Sequence, residues 1–274
     1  AFKHAGAGVQ VVFSGSTSSE REAVVESVVA EQRKANGGGE GPILVPPYDH
    51  PDIILGQGTT GFEMEAQYRE LRGEGERFDA VLTPLGGAGL LGGVATWFRH
   101  TSNTTHNSSH VPDRREVKRQ ETLVFGCEPS FQGCNDAEMD LAASPPKRVE
   151  HVKSLTIADG LRTPVGILNW KIVSDKGKVA GVFSVSEEEI KMALRLLLER
   201  CKVFVEPSAA VPVAVVLFNR EFRELVARKQ AREEKEMGQR RAWDVGIVLS
   251  GGNATVESIG KLFCPALEGG VGRR

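Results

Sequence analysis

The chain has 274 residues, enough for one large or two modest domains, each with a core of its own. Its 40% hydrophobic and 26% charged content is that of an ordinary globular protein, and no apolar run is long enough to span a bilayer. A formal net charge of −2 carries no electrostatic footprint for nucleic acid or an anionic membrane surface.

In chain order, "VQVVFSG" (9–15) reads as a strand and "SSEREAVVESVVAEQRKA" (18–35) as a helix, with Ser18 or Ser19 as its N-cap and "NGGGEG" as its stop. "ILV" (43–45) is a short strand broken by "PPYDHP", and residues 58–75 read as a second helix. "FDAVLTPL" (78–85) is a buried strand, after which a glycine-rich elbow, "GGAGLLGG" (86–93), opens a third helix. A polar insert (99–121) reads as a solvated loop; it holds His100, His106 and His110 and two sequon-like triplets. "TLVFGCEPS" (122–130) is the next strand. "FSVSEEEIKMALRLLLERC" (183–201) reads as a helix, with Ser186 and Glu189 as a capping box and one apolar face from Ile190 to Cys201. "KVFVEPS" (202–208) reads as a strand, and residues 209–227 as a helix containing Pro212. A charge run (Arg228–Arg241) separates that helix from a strand (244–250) and a last helix (254–263). Repeated strand–helix units predict an α/β fold: parallel, twisted sheets with helices on both faces. The cysteines Cys127, Cys134, Cys201 and Cys264 are scattered, which is no disulfide framework, and no secretory signal opens the chain. Both point to the cytoplasm.

The chemistry gathers at the elbow. A helix N-terminus offers unpaired N–H groups and partial positive charge, and glycines remove the Cβ atoms that would hold an anion away. Two ligands fit such a cup. Gly87 to Gly92 matches G-x-G-x-x-G, and the next strand ends in Glu128, as a nicotinamide or flavin site requires; that carboxylate lies well beyond the usual spacing. The other reading takes the whole chain. "LGQGT" (55–59), "PLGGAGLLGG" (84–93), "EPS" (128–130), "TIADGL" (156–161), "VEPSAAVPVA" (205–214) and "IVLSGGN" (247–253) follow in this order. The series resembles the pyridoxal-phosphate enzymes of the tryptophan-synthase-β type (fold type II), within them the serine racemase and serine/threonine dehydratase branch.

The resemblance implies a two-domain enzyme, with residues 1–51 as the remainder of the small domain and 52–274 as the C-terminal part of the large cofactor-binding domain. It implies that Gly86, Gly87, Ala88 and Gly89, with the Leu90 N–H, wrap the pyridoxal 5′-phosphate phosphate, Ala88 being tolerable there at a negative φ. Ser250 would face the pyridine nitrogen, a neutral partner that leaves the ring a mild electron sink. Glu206 and Gly160 would lie beside the ring and Tyr48 beside the substrate. Glu128, Asp136 and the Cys134 carbonyl would hold Mg2+ or another divalent cation. The substrate would be a small amino acid, serine or threonine, with no nucleic acid or membrane partner, in a homodimer. The family's lysine sits in Ser-Phe-Lys, followed later by Ser-Gly-Asn-His. Lys3, after Phe2, runs almost directly into the first strand, and no Ser-Gly-Asn-His stands between it and "LGQGT". Lys3 is therefore read as a helix-end cation. The first third of the family pattern is expected to be missing, and the chain alone is expected to hold no cofactor as a Schiff base. A non-catalytic fragment and a nicotinamide-dependent oxidoreductase are the alternatives.

Overall fold

The computed structural model describes residues 11–15, 17–37, 41–104 and 121–264. At its centre are β1 (Ala80–Pro84), β2 (Leu123–Pro129), β3 (Gly181–Val185) and β4 (Val245–Ile247), all parallel, in the order β3-β2-β1-β4. β1 and β2 are buried almost throughout, so their residues are apolar on both sides, as a sheet covered on both faces requires. Ala80, Leu82, Phe125, Cys127, Phe183 and Val185 point to one face. There they meet α6 (Glu187–Leu196), α7 (Pro207–Phe218), α8 (Arg220–Met237) and α9 (Val256–Phe263). Val81, Val124 and Val182 point to the other face, covered by α3 (Gly89–Thr104), α4 (Asp136–Ala142) and α5 (Ile167–Val173). α2 (Pro51–Arg72) lies on α3, and α1 (Ser18–Ala35) precedes it in the chain. The expected α/β architecture is thus observed, and its details correct several element boundaries.

α1 takes Thr17 as its N-cap, not Ser18 or Ser19: the Thr17 N–H donates to Glu20 Oε2 at 2.9 Å, closing a capping box. α2 starts at Pro51 rather than at residue 58, because a proline at the first helical position needs no N–H partner and His50 caps the end. The segment predicted as one helix over 183–201 is a strand and a helix. The Ser186–Glu189 box is real, and it starts α6 at Glu187, leaving Phe183 and Val185 in β3 beside β2. The helix expected over 209–227 breaks at Asn219, whose side chain accepts from the Phe222 N–H at 2.8 Å and starts α8. The charge run is largely helical, since Arg220–Glu224 and Arg232–Glu236 pair at one-turn spacing along α8.

Three expected strands do not form among the described residues: 11–15 (residues 9 and 10 lie outside them), 43–45 and 202–206. Phe13 is 80% exposed and Ile43 91%. Apolar residues alone do not make a strand; a neighbouring strand must supply the ladder, and none lies beside these segments. The polar insert begins as helix, because α3 continues to Thr104. An Arg99–Glu121 ion pair at 3.2 Å joins its ends. His106 and His110, the second sequon-like triplet, the last residue of the first, and Lys3 lie outside the described residues, as does the side chain of His100.

Candidate active site

β1 delivers the chain to the elbow at its carboxyl end, where ligands gather in open parallel sheets. The Leu85 N–H still belongs to the sheet, donating to the Cys127 carbonyl at 2.8 Å. The first helical bond of α3 runs from the Gly92 N–H to the Ala88 carbonyl at 2.8 Å. Between these points, no described residue accepts a hydrogen bond from the N–H groups of Gly86 to Leu91. Six successive donors with no acceptor among the described residues, at the start of a long helix, make an anion cup.

The glycines here have steric reasons. A Cβ on Gly87 would lie 2.3 Å from the Tyr48 ring, and one on Gly86 3.0 Å from the Leu161 Cα. Ala88 corrects the sequence expectation: its φ is +70°, not negative, so a methyl-bearing residue sits in the left-handed region, and it is buried. An αL residue just before the start of a helix can turn successive N–H groups toward one concavity, which suits an anion.

The loop opens onto a cavity of about 790 Å3. Gly86 to Leu90, Tyr48, Gly160 and Ser250 all line it, so most of the predicted site converges there. Glu206 stands just behind. Its carboxylate accepts from the Asn253 N–H at 2.9 Å, and its N–H donates to the Gly251 carbonyl at 3.1 Å, fixing the "GGN" turn. A Cβ on Gly160 would lie 3.5 Å from Glu206 Oε1 and 3.1 Å from Ser208 Oγ, to which the Gly160 N–H donates. Arg21 brings a positive charge to the rim and donates to Thr163 Oγ1 at 3.3 Å. Sequence reasoning did not single out Arg21, Ser208, Asp49 or Asn169. Ser208 belongs to the quoted "VEPS"; Asp49 and Asn169 act through contacts more than a hundred residues apart in sequence.

Gly92 and Gly93 do other work. A Cβ on Gly92 would lie 2.7 Å from Asn169 Oδ1, and one on Gly93 2.4 Å from the Ile54 carbonyl oxygen. The last glycine of G-x-G-x-x-G therefore serves helix packing. Glu128, which a dinucleotide ribose would need, is buried and accepts from the Ala137 and Glu138 N–H groups at 3.3 and 3.1 Å.

Glu128, Cys134 and Asp136 form a separate cluster at the end of β2, outside that cavity. The Cys134 thiol donates to the Leu161 carbonyl at 3.4 Å, and burial pushes its pKa up to about 12. Burial also pushes Asp136 up to about 7. It holds Glu128 well above the usual carboxylate range, with the Asp136 charge adding to the effect. Asp136 Oδ2 is buried without a hydrogen-bond partner among the described residues. No group of three His, Cys, Asp or Glu side chains that could hold a metal occurs among them, so a cation here would rest on two carboxylates and carbonyl oxygens, the donors of a hard divalent ion.

Residues 2–233 match the family model described as "Pyridoxal-phosphate dependent enzyme". The chain is 33% identical over 220 residues to serine racemase of Dictyostelium discoideum, covering 80% of this chain and 55% of that protein. It is 32% identical to L-threo-3-hydroxyaspartate ammonia-lyase of Saccharomyces cerevisiae, covering 94% and 63%. Among solved structures, the T.th. threonine deaminase superposes with a TM-score of 0.61 at 33% identity, covering 84% of this chain and 62% of that one. The chain thus spans 55% to 63% of the length of these relatives.

Proposed function

The chain belongs to the family of pyridoxal-phosphate-dependent enzymes, and from that premise we propose that it forms the phosphate-binding part of a dehydratase or racemase of small hydroxy-amino acids. The reaction is loss of water from serine, threonine or a 3-hydroxy relative, giving an oxo acid and ammonia, or inversion at Cα. The named activities of the relatives support this choice of substrates. One observation carries it: the elbow N–H groups, without protein acceptors among the described residues, line the same cavity as Ser250, Gly160 and Tyr48.

When bound, pyridoxal phosphate supplies an electron sink for the bonds at Cα. The chain's residues hold and orient it. The N–H groups of Gly86 to Leu90 take the phosphate. The Ser250 hydroxyl meets the pyridine nitrogen as a neutral partner, which keeps the sink mild and suits elimination or racemisation. Gly160 lets backbone approach the ring edge, Glu206 braces the turn that carries Ser250, and Tyr48 borders the substrate. Glu128, Asp136 and the Cys134 carbonyl hold a divalent cation, Mg2+ being the natural candidate, that neutralises two buried carboxylates.

Residues 1–51 are the remainder of a small domain and residues 52–274 the C-terminal part of the large cofactor-binding domain. In support, among the described residues none before Ile54 belongs to the buried core. The whole protein is proposed as a cytoplasmic homodimer; among the described residues no helix is long and apolar enough to cross a membrane. The test is to supply pyridoxal phosphate and assay oxo-acid release from L-serine, L-threonine and 3-hydroxyaspartate, with D-serine formation, in the protein carrying its complete coding sequence. Turnover of at least one substrate is expected. No turnover, together with no phosphate-dependent cofactor binding, contradicts the reading.

A further inference from the structure

We propose that Asn169 is a positioning residue for the cofactor phosphate, holding the glycine loop in its anion-binding shape from the far side; this rests on the reading of that loop as the phosphate cup. Asn169 sits in the first turn of α5 with no exposed surface. Its Nδ2 donates to the Gly87 carbonyl at 3.0 Å and to the Tyr48 carbonyl at 3.1 Å. The Gly166 N–H donates to the same Gly87 carbonyl at 3.2 Å. One carbonyl oxygen thus takes two donors, both from the start of α5.

The consequence follows from peptide geometry. In a trans peptide the C=O and the next N–H point in opposite directions. Pinning the Gly87 carbonyl toward α5 therefore turns the Ala88 N–H away from it, to the free side of the loop. The same pin holds Ala88 at φ +70°, a conformation that a non-glycine residue keeps only when its surroundings impose it. Asn169 therefore selects the loop geometry that presents its donors together.

Asn169 is itself held. The Asp49 carboxylate accepts from the N–H groups of Ile167, Leu168 and Asn169 at 2.8, 2.9 and 3.2 Å. This fixes the start of α5 against the segment carrying Tyr48. The amide has one workable orientation, since the flipped form would set Oδ1 against the two carbonyl oxygens. In the observed form Oδ1 lies against Gly92, where an added Cβ would come within 2.7 Å. One side chain thus joins three parts of the site: the phosphate loop, the Tyr48 backbone and α5. It does not itself line the cavity.

The experiment compares calorimetric affinities for pyridoxine 5′-phosphate and pyridoxine, which carry no aldehyde and so bind without lysine chemistry. It uses the protein and its Asn169→Ala, Asn169→Asp and Asn169→Ser variants. Asn169→Asp keeps the size but sets an acceptor against both carbonyls. Asn169→Ser is the mildest change and decides the matter if the others do not melt cooperatively. The wild-type protein should prefer the phosphorylated ligand by ~ten-fold or more, and the variants should lose that preference by ~ten-fold while pyridoxine affinity changes less than ~three-fold. Folded variants that keep the wild-type preference overturn the role of Asn169. A wild-type protein with no preference overturns the phosphate cup itself, and the two failures are distinct.

Discussion

Gly58 in α2 and Gly93 in α3 meet backbone to backbone: a Cβ on Gly93 would lie 2.4 Å from the Gly58 nitrogen, and one on Gly58 3.2 Å from the Gly93 carbonyl oxygen. The close approach explains why "LGQGT" and the tail of the glycine elbow both need residues without side chains. It also seats α2, whose N-terminus continues from the Tyr48 segment, against the helix that opens at the glycine elbow. Gly93→Ala should cost about 1–3 kcal/mol by overpacking rigid backbone, read as a lower urea midpoint with an unchanged slope. A stability equal to wild type would mean that the two helices separate freely.

Ala88 is strained where it stands. Its φ of +70° disfavours any residue with a Cβ, and glycine adopts it at no steric cost. Ala88→Gly should leave stability within about 1 kcal/mol of wild type, since relief of about 1–2 kcal/mol of strain is offset by the loss of one buried methyl and the added freedom of the unfolded chain. A denaturant melt decides it; a loss of more than about 2 kcal/mol would show that the methyl's packing matters more than its backbone.

The cation site proposed at the end of β2 should make stability depend on pH and on cations together. Burial raises the folded pKa of Asp136 to about 7 from 3.8, and raises Glu128 in the same direction. A carboxyl with a raised folded pKa stabilises the fold while protonated, so its contribution is lost as pH rises from about 4 toward about 7. Asp136→Asn cannot ionise. In the presence of chelator its Tm relative to wild type should therefore be higher at pH 7.5 than at pH 5. Added Mg2+ should raise the wild-type Tm more at pH 7.5 than at pH 5, and should do little for Glu128→Gln. Equal Mg2+ effects in all three proteins would remove the cation from this cluster.

Arg241 ties the end of the charge run to the residue just before β1, the strand beside β4 in the sheet. Its guanidinium pairs with Asp79 and lies 3.7 Å from Glu233, two carboxylates with side chains only 7% and 5% exposed. Trp243 Nε1 donates to Glu233 as well, at 3.1 Å, and the Asp244 N–H donates to Asp79 at 2.7 Å. Arg241→Ala should cost about 2 kcal/mol, because it leaves buried carboxylates short of a counter-charge, whereas Arg232→Ala, on an exposed pair, should cost about 0.5 kcal/mol or less. Denaturant midpoints measured side by side check the contrast.

Much of this was legible in the chain itself, for definable reasons. β1, the glycine elbow and α3 announce themselves because a buried strand is apolar throughout and glycine marks where backbone must approach closely. The Ser186–Glu189 box fixes the start of α6 in the sequence, yet the apolar pattern before it conceals β3, because nothing local records that Gly181 to Val185 lies beside β2. Residues 202–206 show the converse, a strand-like pattern without a ladder. Asp49 and Asn169 carry no local sign at all: a lone asparagine among apolar helix residues earns its place only when Tyr48 and Gly87 are brought to it through the fold. The sign of φ at Ala88 is equally invisible locally, since the Gly87 carbonyl beside it bonds to Gly166 and Asn169, some eighty residues away in sequence.

The central claim, that the elbow holds a phosphate, is tested most directly by 31P NMR of pyridoxal phosphate mixed with the protein across a pH series. A phosphate held by the loop's N–H groups stays a dianion. A bound resonance is therefore expected whose position does not change between about pH 5 and pH 8, and it should be lost in Gly87→Asp, which places a carboxylate in the cup. A resonance that titrates with the pKa of about 6 of a free phosphate monoester, identical with and without the protein, would contradict it.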